Sequence, residues 1–417
     1  MFAIVIAAGV SASSASAATK IGVFVGEYFL PYASGVSQPI SVSGFSSERK
    51  DVDVHVGLIA PSGKIYEFPD WNTRLQPWFS NLTLPAGFTF PATFVFDAAQ
   101  VPGGLTPGTW NAAVALTEPG TLKFIDVKVV PFSVVDEASG GNGTRYGALN
   151  FERQQSFAGI DVMADGVFLD VSGNLEDLVG SYLGTVPNIN ECVLNEIPID
   201  LSAIPELDVL TLDAGNALHL MSPGSSVVLP KDGSAASSGY VVYSAPDLAP
   251  SVYRGGETYA FEGDGGSQLS GFRVSVAAPP ALTLVQPAVS GSSTHDASNP
   301  LVLKWVGGTG TGEVIANLSA ATSSASVVID CRFADDGAGI IPGSLISRMK
   351  NIIDQGSSDF LIPDVERPPG LEIPGFGTQA SLSVSRIASA VFNTLLNELD
   401  VGLARISSGA SVEITLE

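Results

Sequence analysis

Three histidines, His55, His219 and His295, are the only imidazoles in the 417 residues. None has a second ligand at His-x-His or His-x-x-x-His spacing, the spacing that lets one strand or helix turn offer two imidazoles to a metal. They are expected to be structural or merely exposed. No Gly-x-Ser-x-Gly elbow surrounds a serine, and Ser47-Glu48-Arg49-Lys50 has the Ser-x-x-Lys spacing without its companion motifs. No glycine-rich loop ends in Gly-Lys-Ser/Thr, and Gly263-Asp264-Gly265-Gly266 sits in a β context where glycines make turns. Carboxylates adjoin at Asp335-Asp336 and Glu176-Asp177, but a glycosidase needs two across a cleft, which adjacency does not supply. No catalytic residue is assigned, and the expectation is a protein that is not an enzyme.

Three weaker constellations remain. Asp170, Ser172, Asn174, Glu176 and Asp177 place oxygen ligands on nearly alternate residues, a pattern able to wrap Ca²⁺. The stretch lacks the sixth-position glycine and terminal bidentate glutamate of an EF-hand loop, so a solvated turn is the competing reading. Ca²⁺ is the one cofactor considered. Trp71 and Trp78 flank Asn72 to Pro77, and aromatics beside polar side chains can stack and orient sugar rings. The competing reading is that both cap the open end of a sandwich. Cys192 and Cys331 are the only cysteines, which excludes a cysteine-based zinc cluster. A bridge between them would close a loop worth roughly 5 kcal/mol in the chain-entropy account. Their positions in different segments favour two separate buried thiols, with the disulfide as the alternative.

The elements that must position these residues are short strands. Gly 45 and Pro 27 punctuate a chain that is 45% hydrophobic and only 15% charged, a composition of turns and strands rather than long helices. Asp51 to Leu58 alternates polar and apolar, Ala60 to Lys64 is turn chemistry, and Ile65 to Phe68 resumes a strand, which together spell a hairpin. Strands are also expected at Thr93–Phe96, Ala112–Leu116 and Phe124–Val130. Further on they are expected at Gly166–Val171, Ala217–Met221, Val227–Leu229, Gly239–Tyr243 and Phe272–Val276. The last group is Leu301–Trp305, Val314–Leu318, Val327–Phe333 and Val412–Leu416. Asn188 to Leu210, broken by Pro198 and Pro205, has no assignment. A helix is expected over Ile387–Leu399 from apolar residues at Ile387, Val391, Leu395 and Leu399, and another start at Pro342.

This divides the chain into 1–18, a β-sandwich over 19–135, a β-rich domain over 146–278 and a β-sandwich with a short helix over 282–417. The fold class is all-β, tandem Ig-like sandwiches with one or two short helices in the C-terminal module. Phe2 to Val10 is a charge-free apolar run followed by Ala15-Ser16-Ala17, a small-x-small cleavage pattern, so 1–18 reads as an export signal or as an apolar arm able to add to a sheet edge. No basic residue precedes the run, which departs from the signal pattern, and it is too short to span a bilayer. No transmembrane anchor is expected. The 42 acidic against 19 basic residues give a formal charge of -23, which repels phosphate backbones and excludes nucleic acid as a partner.

The first segment resembles the Ig-like modules of secreted bacterial surface proteins. Leu212-Asp213-Ala214-Gly215, Gly265-Gly266 through Phe272, Trp305-Val306-Gly307-Gly308 and Cys331-Arg332-Phe333 followed by Gly337 and Ile341-Pro342 are similar to tandem modules of such exported proteins. The resemblance implies a fold and an extracellular or cell-surface setting, and carries no activity with it. The expected function is a structural or adhesive surface protein whose partners are copies of itself or cell-surface components. The alternatives are a carbohydrate- or surface-binding module protein and an extracellular hydrolase.

Overall fold

The computed structural model describes residues 19–26, 29–31, 37–71, 73, 76–135, 144–172, 187–198, 208–231, 241–289, 292–306, 308, 312–321, 325–357, 378–396 and 398–417. It is all-β with one α-helix among the described residues.

The N-terminal sandwich contains β1 (Thr19–Val25), β2 (Phe29–Pro31), β3 (Pro39–Ser46), β4 (Lys50–Ile59), β5 (Ile65–Glu67), β6 (Phe79–Leu84), β7 (Phe88–Asp97), β8 (Gly108–Thr117) and β9 (Phe124–Val135). Sheet β1-β3-β7 faces sheet β2-β9-β8-β4-β5, with β6 also paired to β4. In β4 the alternation predicted from sequence buries Val52, Val54, Val56 and Leu58 against the opposite sheet. The β4–β5 hairpin forms as expected, its turn closed by Gly63, whose φ of +78° suits glycine. Asp53 is buried too, and its carboxylate accepts the backbone N–H groups of Asn81 (2.6 Å) and Gly120 (2.7 Å), fixing two loops at once.

The second segment supplies β10 (Thr144–Ser156), β11 (Gly159–Ser172), β12 (Glu191–Pro198), β13 (Asp208–Thr211), β14 (Ala217–Ser222), β15 (Ser225–Pro230), β16 (Val242–Ala245), β17 (Thr258–Gly265) and β18 (Ser270–Ala277). The third supplies β19 (Leu284–Gln286), β20 (Ser292–His295), β21 (Leu301–Trp305), β22 (Glu313–Ala321), β23 (Ala325–Ala334), β24 (Ala338–Ile341), helix α1 (Gly343–Ser357), β25 (Thr378–Val391) and β26 (Val401–Leu416). The stretch with no assignment from sequence thus contains β12 and β13.

These two segments share a ten-stranded sheet of order β12-β23-β22-β25-β26-β10-β11-β13, with β16 on β11 and β20 on β26. Two pairings join the segments: β10 runs parallel to β26, Tyr146 opposite Val401 through Gln155 opposite Ala410, and β12 runs antiparallel to β23. One face of this sheet is apolar and carries two cores side by side. The four-stranded sheet β15-β14-β17-β18 covers Leu149, Phe151, Phe168 and Ile406. The three-stranded sheet β19-β21-β24 and α1 cover Val314, Ile329, Leu382 and Ile414. Each segment therefore keeps its own core while contributing strands to a common sheet.

Helix α1 starts where Pro342 offers its carbonyl to the N–H groups of Leu345 (3.0 Å) and Ile346 (3.2 Å). It buries Ile346, Met349 and Ile353, one stripe of the helix, in the third-segment core. The helix expected over Ile387–Leu399 does not form. Residues 378–391 are the strand β25, hydrogen-bonded to β22 on one side and β26 on the other. The alternation starts upstream at Ala380, Leu382 and Val384, and two ladder partners outweigh a helical period read over so few turns. Past the strand, Phe392 and Leu399 return to the core while Leu395 (79% exposed) and Leu396 (72%) face solvent, which a buried helical stripe would forbid.

Cys192 and Cys331 form a disulfide between directly opposed residues of β12 and β23. Separate thiols were the expectation because the cysteines fall in different segments; the shared sheet brings those segments into register. Replacing both cysteines by alanine is expected to lower unfolding stability by up to about 5 kcal/mol, the loop-closure contribution of a ring this large, read as a lower urea midpoint against the oxidised protein.

Candidate functional site

The seam between the two cores presents unusual chemistry, and so do two regions outside them. Arg386 projects from β25 onto the apolar face of the large sheet and is 2% exposed. Its Nε donates to Asp335 Oδ2 (2.7 Å) and its Nη2 to Asp335 Oδ1 (3.1 Å). Two further N–H groups reach the carbonyls of Ala281 (3.1 Å) and Val306 (2.5 Å). Trp305 Nε1 donates to Asp335 Oδ1 at 2.7 Å, so both buried ions have several partners. This pair is structural: it has no open face toward a ligand, and it accounts for Asp335 of the adjacent carboxylates.

The opposite face of the same sheet is polar. Alternation along β10 turns Leu149 and Phe151 into the core and Asn150 and Glu152 outward. The register then aligns rows across five strands. Arg405 on β26 stands opposite Asn150, which stands opposite Asp165 on β11. One row along, Ile387 on β25, Ser407 on β26 and Glu152 are neighbours. Ser385 pairs with Ile315 and Ser383 with Asn317. These ten side chains line a half-open depression of about 330 Å³.

Burial raises the Glu152 carboxyl above its usual range, helped by the nearby Asp165 charge and opposed by Arg405. Burial also raises Asp165, against the Asn150 amide that donates to its Oδ1 at 2.9 Å. Arg405 Nε is buried with no hydrogen-bond partner among the described residues. Asn317 is oriented by Asp330, whose other oxygen accepts from Asn195 at 2.7 Å. None of these residues was singled out from sequence. The available signal was polar alternation: Asn150, Glu152 and Gln154 on one strand and Ser381, Ser383 and Ser385 on another read as solvated faces until their pairing is known.

The second region is one side of the N-terminal sandwich. Strands β6 and β7 are edges of its two sheets and are joined by the short turn at Pro85 to Gly87. Along this side Phe79, Leu82 and Phe94 are exposed, Phe94 by 59%. Trp71 and Trp78 lie here, half-buried, with their rings 5.9 and 5.5 Å from Phe68, and Trp71 is 5.0 Å from Phe96. Both tryptophans pack on the sandwich core, which favours the capping role over a free sugar platform.

The other sequence candidates are scattered. His55 Nδ1 lies 2.6 Å from Glu67 Oε1 and Nε2 lies 3.4 Å from Thr117 Oγ1, an order that resembles a hydroxyl–imidazole–carboxylate relay. Thr117 has no exposed surface, so no substrate reaches its hydroxyl. His219 and His295 belong to other sheets, and His295 Nε2 lies 3.0 Å from the Asn299 carbonyl. Of the calcium candidates, Asp170 is paired to Arg145 Nε at 3.0 Å. Ser172 ends β11, with only its backbone described, and Asn174, Glu176 and Asp177 lie outside the described residues. Among the described residues no three His, Cys, Asp or Glu side chains converge as metal ligands, and no helix is long and apolar enough to cross a membrane. Comparison with protein-family models and with curated proteins gives no match to this chain.

The raised carboxyls make a prediction with a definite sign. A carboxyl whose folded pKa is raised holds its proton more tightly than in the unfolded chain, so its contribution to stability improves as pH falls through that pKa. Near neutrality the ionised form costs stability. Asp165→Asn is therefore expected to raise the urea midpoint at about pH 7, and the gain is expected to shrink as pH falls and the native carboxyl takes up its proton.

Proposed function

We propose that the protein is a non-catalytic structural or adhesive component of the cell surface that assembles with copies of itself by strand addition. The observation that carries this reading is the edge strand β7, ten residues paired only to β3 among the described residues and flanked by exposed Phe79, Leu82 and Phe94. An unpaired apolar edge is a template for another chain's strand. Pro91 and the register shift opposite Val42/Gly44 interrupt the edge, and the shift opposite Ile40/Ser41 places a bulge at Val95, so the acceptor in this reading is the bulged stretch Thr93 to Asp97. The donor in this reading is the apolar, uncharged run Phe2 to Val10 of a neighbouring copy; that run lies outside the described residues.

An extracellular setting is supported by the Cys192–Cys331 disulfide, since such bridges persist in oxidising compartments. A low charged fraction of 15% agrees with it. The buried, paired state of Asp335, Arg386, Glu313 and Arg332 supports a chain whose ionic groups hold strands together.

Electron microscopy and sedimentation of the full chain retaining residues 1–18 test the reading. Polymers are expected, and both deletion of 1–18 and Phe94→Lys should leave dispersed monomers with unchanged far-UV circular dichroism. Normal assembly of either variant overturns the strand-addition mechanism.

A further inference from the structure

The polar depression on the large sheet has the composition of a ligand site rather than of a solvated sheet face. Eight of its ten lining side chains carry hydrogen-bonding groups, and the other two, Ile315 and Ile387, are apolar. Arg405 supplies the one cationic group among the lining side chains. Beside the depression, at Gly409 on β26, a Cβ would overlap Ser385 Oγ and Gln154 Oε1. Glycine at that position lets both polar side chains lie flat across the strand.

Charge and polarity narrow the ligand class. An anion such as phosphate would face the carboxyls of Glu152 and Asp165. A cation would face Arg405. An apolar body would strip partners from the serine hydroxyls and asparagine amides without replacing them. A neutral ring bearing hydroxyls fits all three constraints. Each hydroxyl both donates and accepts, as Ser383, Ser385, Ser407, Asn150 and Asn317 require, and the ring's C–H face matches the two isoleucines. The volume of about 330 Å³ has room for about one or two pyranose rings and sits at the small end of ligand sites.

We propose that this depression, formed where β22, β25, β26, β10 and β11 run side by side, is a binding site for a neutral saccharide unit. It lies away from Trp71 and Trp78, and it does not depend on the assembly reading. A surface protein with such a site would recognise a glycan through hydrogen bonds from a sheet face rather than through ring stacking.

Isothermal titration of the full chain tests this with glucose, galactose, mannose, N-acetylglucosamine, maltose and cellobiose as probes, and inorganic phosphate and putrescine as charged controls. At least one neutral sugar is expected to bind one per chain at about 10 mM, ten times the dissociation constant of a millimolar site. Arg405→Met should weaken it about tenfold, the size of one lost charged hydrogen bond. Ser385→Ala, a smaller change that keeps the fold if Arg405→Met does not, should weaken it severalfold. Trp71→Ala with Trp78→Ala should leave it unchanged. The proposal is overturned if no sugar binds, if only phosphate or putrescine binds, or if binding survives the Arg405 and Ser385 variants and is lost with the tryptophans. Sedimentation of the same samples reports assembly separately, so failure here is distinguishable from failure of the strand-addition mechanism.

Discussion

One buried ion pair sets the geometry of the C-terminal body. Arg386 stands on the apolar face of the large sheet where two cores meet, and a lone guanidinium there would be prohibitively costly. Asp335 neutralises it, Trp305 donates to the same carboxylate, and the carbonyls of Ala281 and Val306 accept two more of its N–H groups. Those groups come from three separate places in the chain. The linker between segments, the end of β21 and the turn before β24 are thereby held to one point on β25. A hydrophobic residue of similar size would fill the space but would not choose among loop positions, so the pair specifies arrangement more than it adds net stability.

A second pair performs the corresponding role on the outer face. Arg332, on β23 next to the bridged Cys331, donates to both Glu313 oxygens (2.6 and 3.2 Å) and to the Gly26 carbonyl at 2.7 Å. Gly26 follows β1, so this guanidinium ties the N-terminal sandwich to the large sheet. The disulfide fixes β12 against β23 at the neighbouring residue, with Cys331 turned inward and Arg332 turned outward. Covalent and ionic constraints therefore act on opposite faces of the same strand, two residues in succession.

Local pattern was legible in the sequence and long-range pairing was not. The β4–β5 hairpin, the strand ending at Trp305 and the helix start at Pro342 all follow from alternation or turn chemistry within about ten residues. The pairing of β10 with β26 joins residues 255 apart (401 minus 146), and nothing in either strand names its partner. That pairing and the β12–β23 pairing put the two segments in one sheet, and the second of them sets the two cysteines opposite each other. The missed strand at β25 is the same lesson in reverse. Ile387, Val391, Leu395 and Leu399 match a helical period only because a strand ends at Val391 and its loop folds back. The polar site was hidden for a related reason: Asn150, Ser385 and Arg405 are ordinary solvated residues on separate strands, and become a constellation only when register aligns them.

The register that builds the outer site is held from the inner face. Side chains on a strand alternate with period two, so a one-residue slip of β25 against β26 would expose Leu382 and Val384 and bury Ser383 and Ser385. It would also carry Arg386 out of the seam and away from Asp335. The inner apolar rows and the Arg386 pair thus exclude every slipped pairing, and the rows of Arg405, Asn150 and Asp165 on the other side inherit that exclusion without contributing to it. This explains how a face with two raised carboxyls and a guanidinium nitrogen unpaired among the described residues is tolerated. Its groups need not hold the fold, because the strands that carry them are already fixed by what lies beneath.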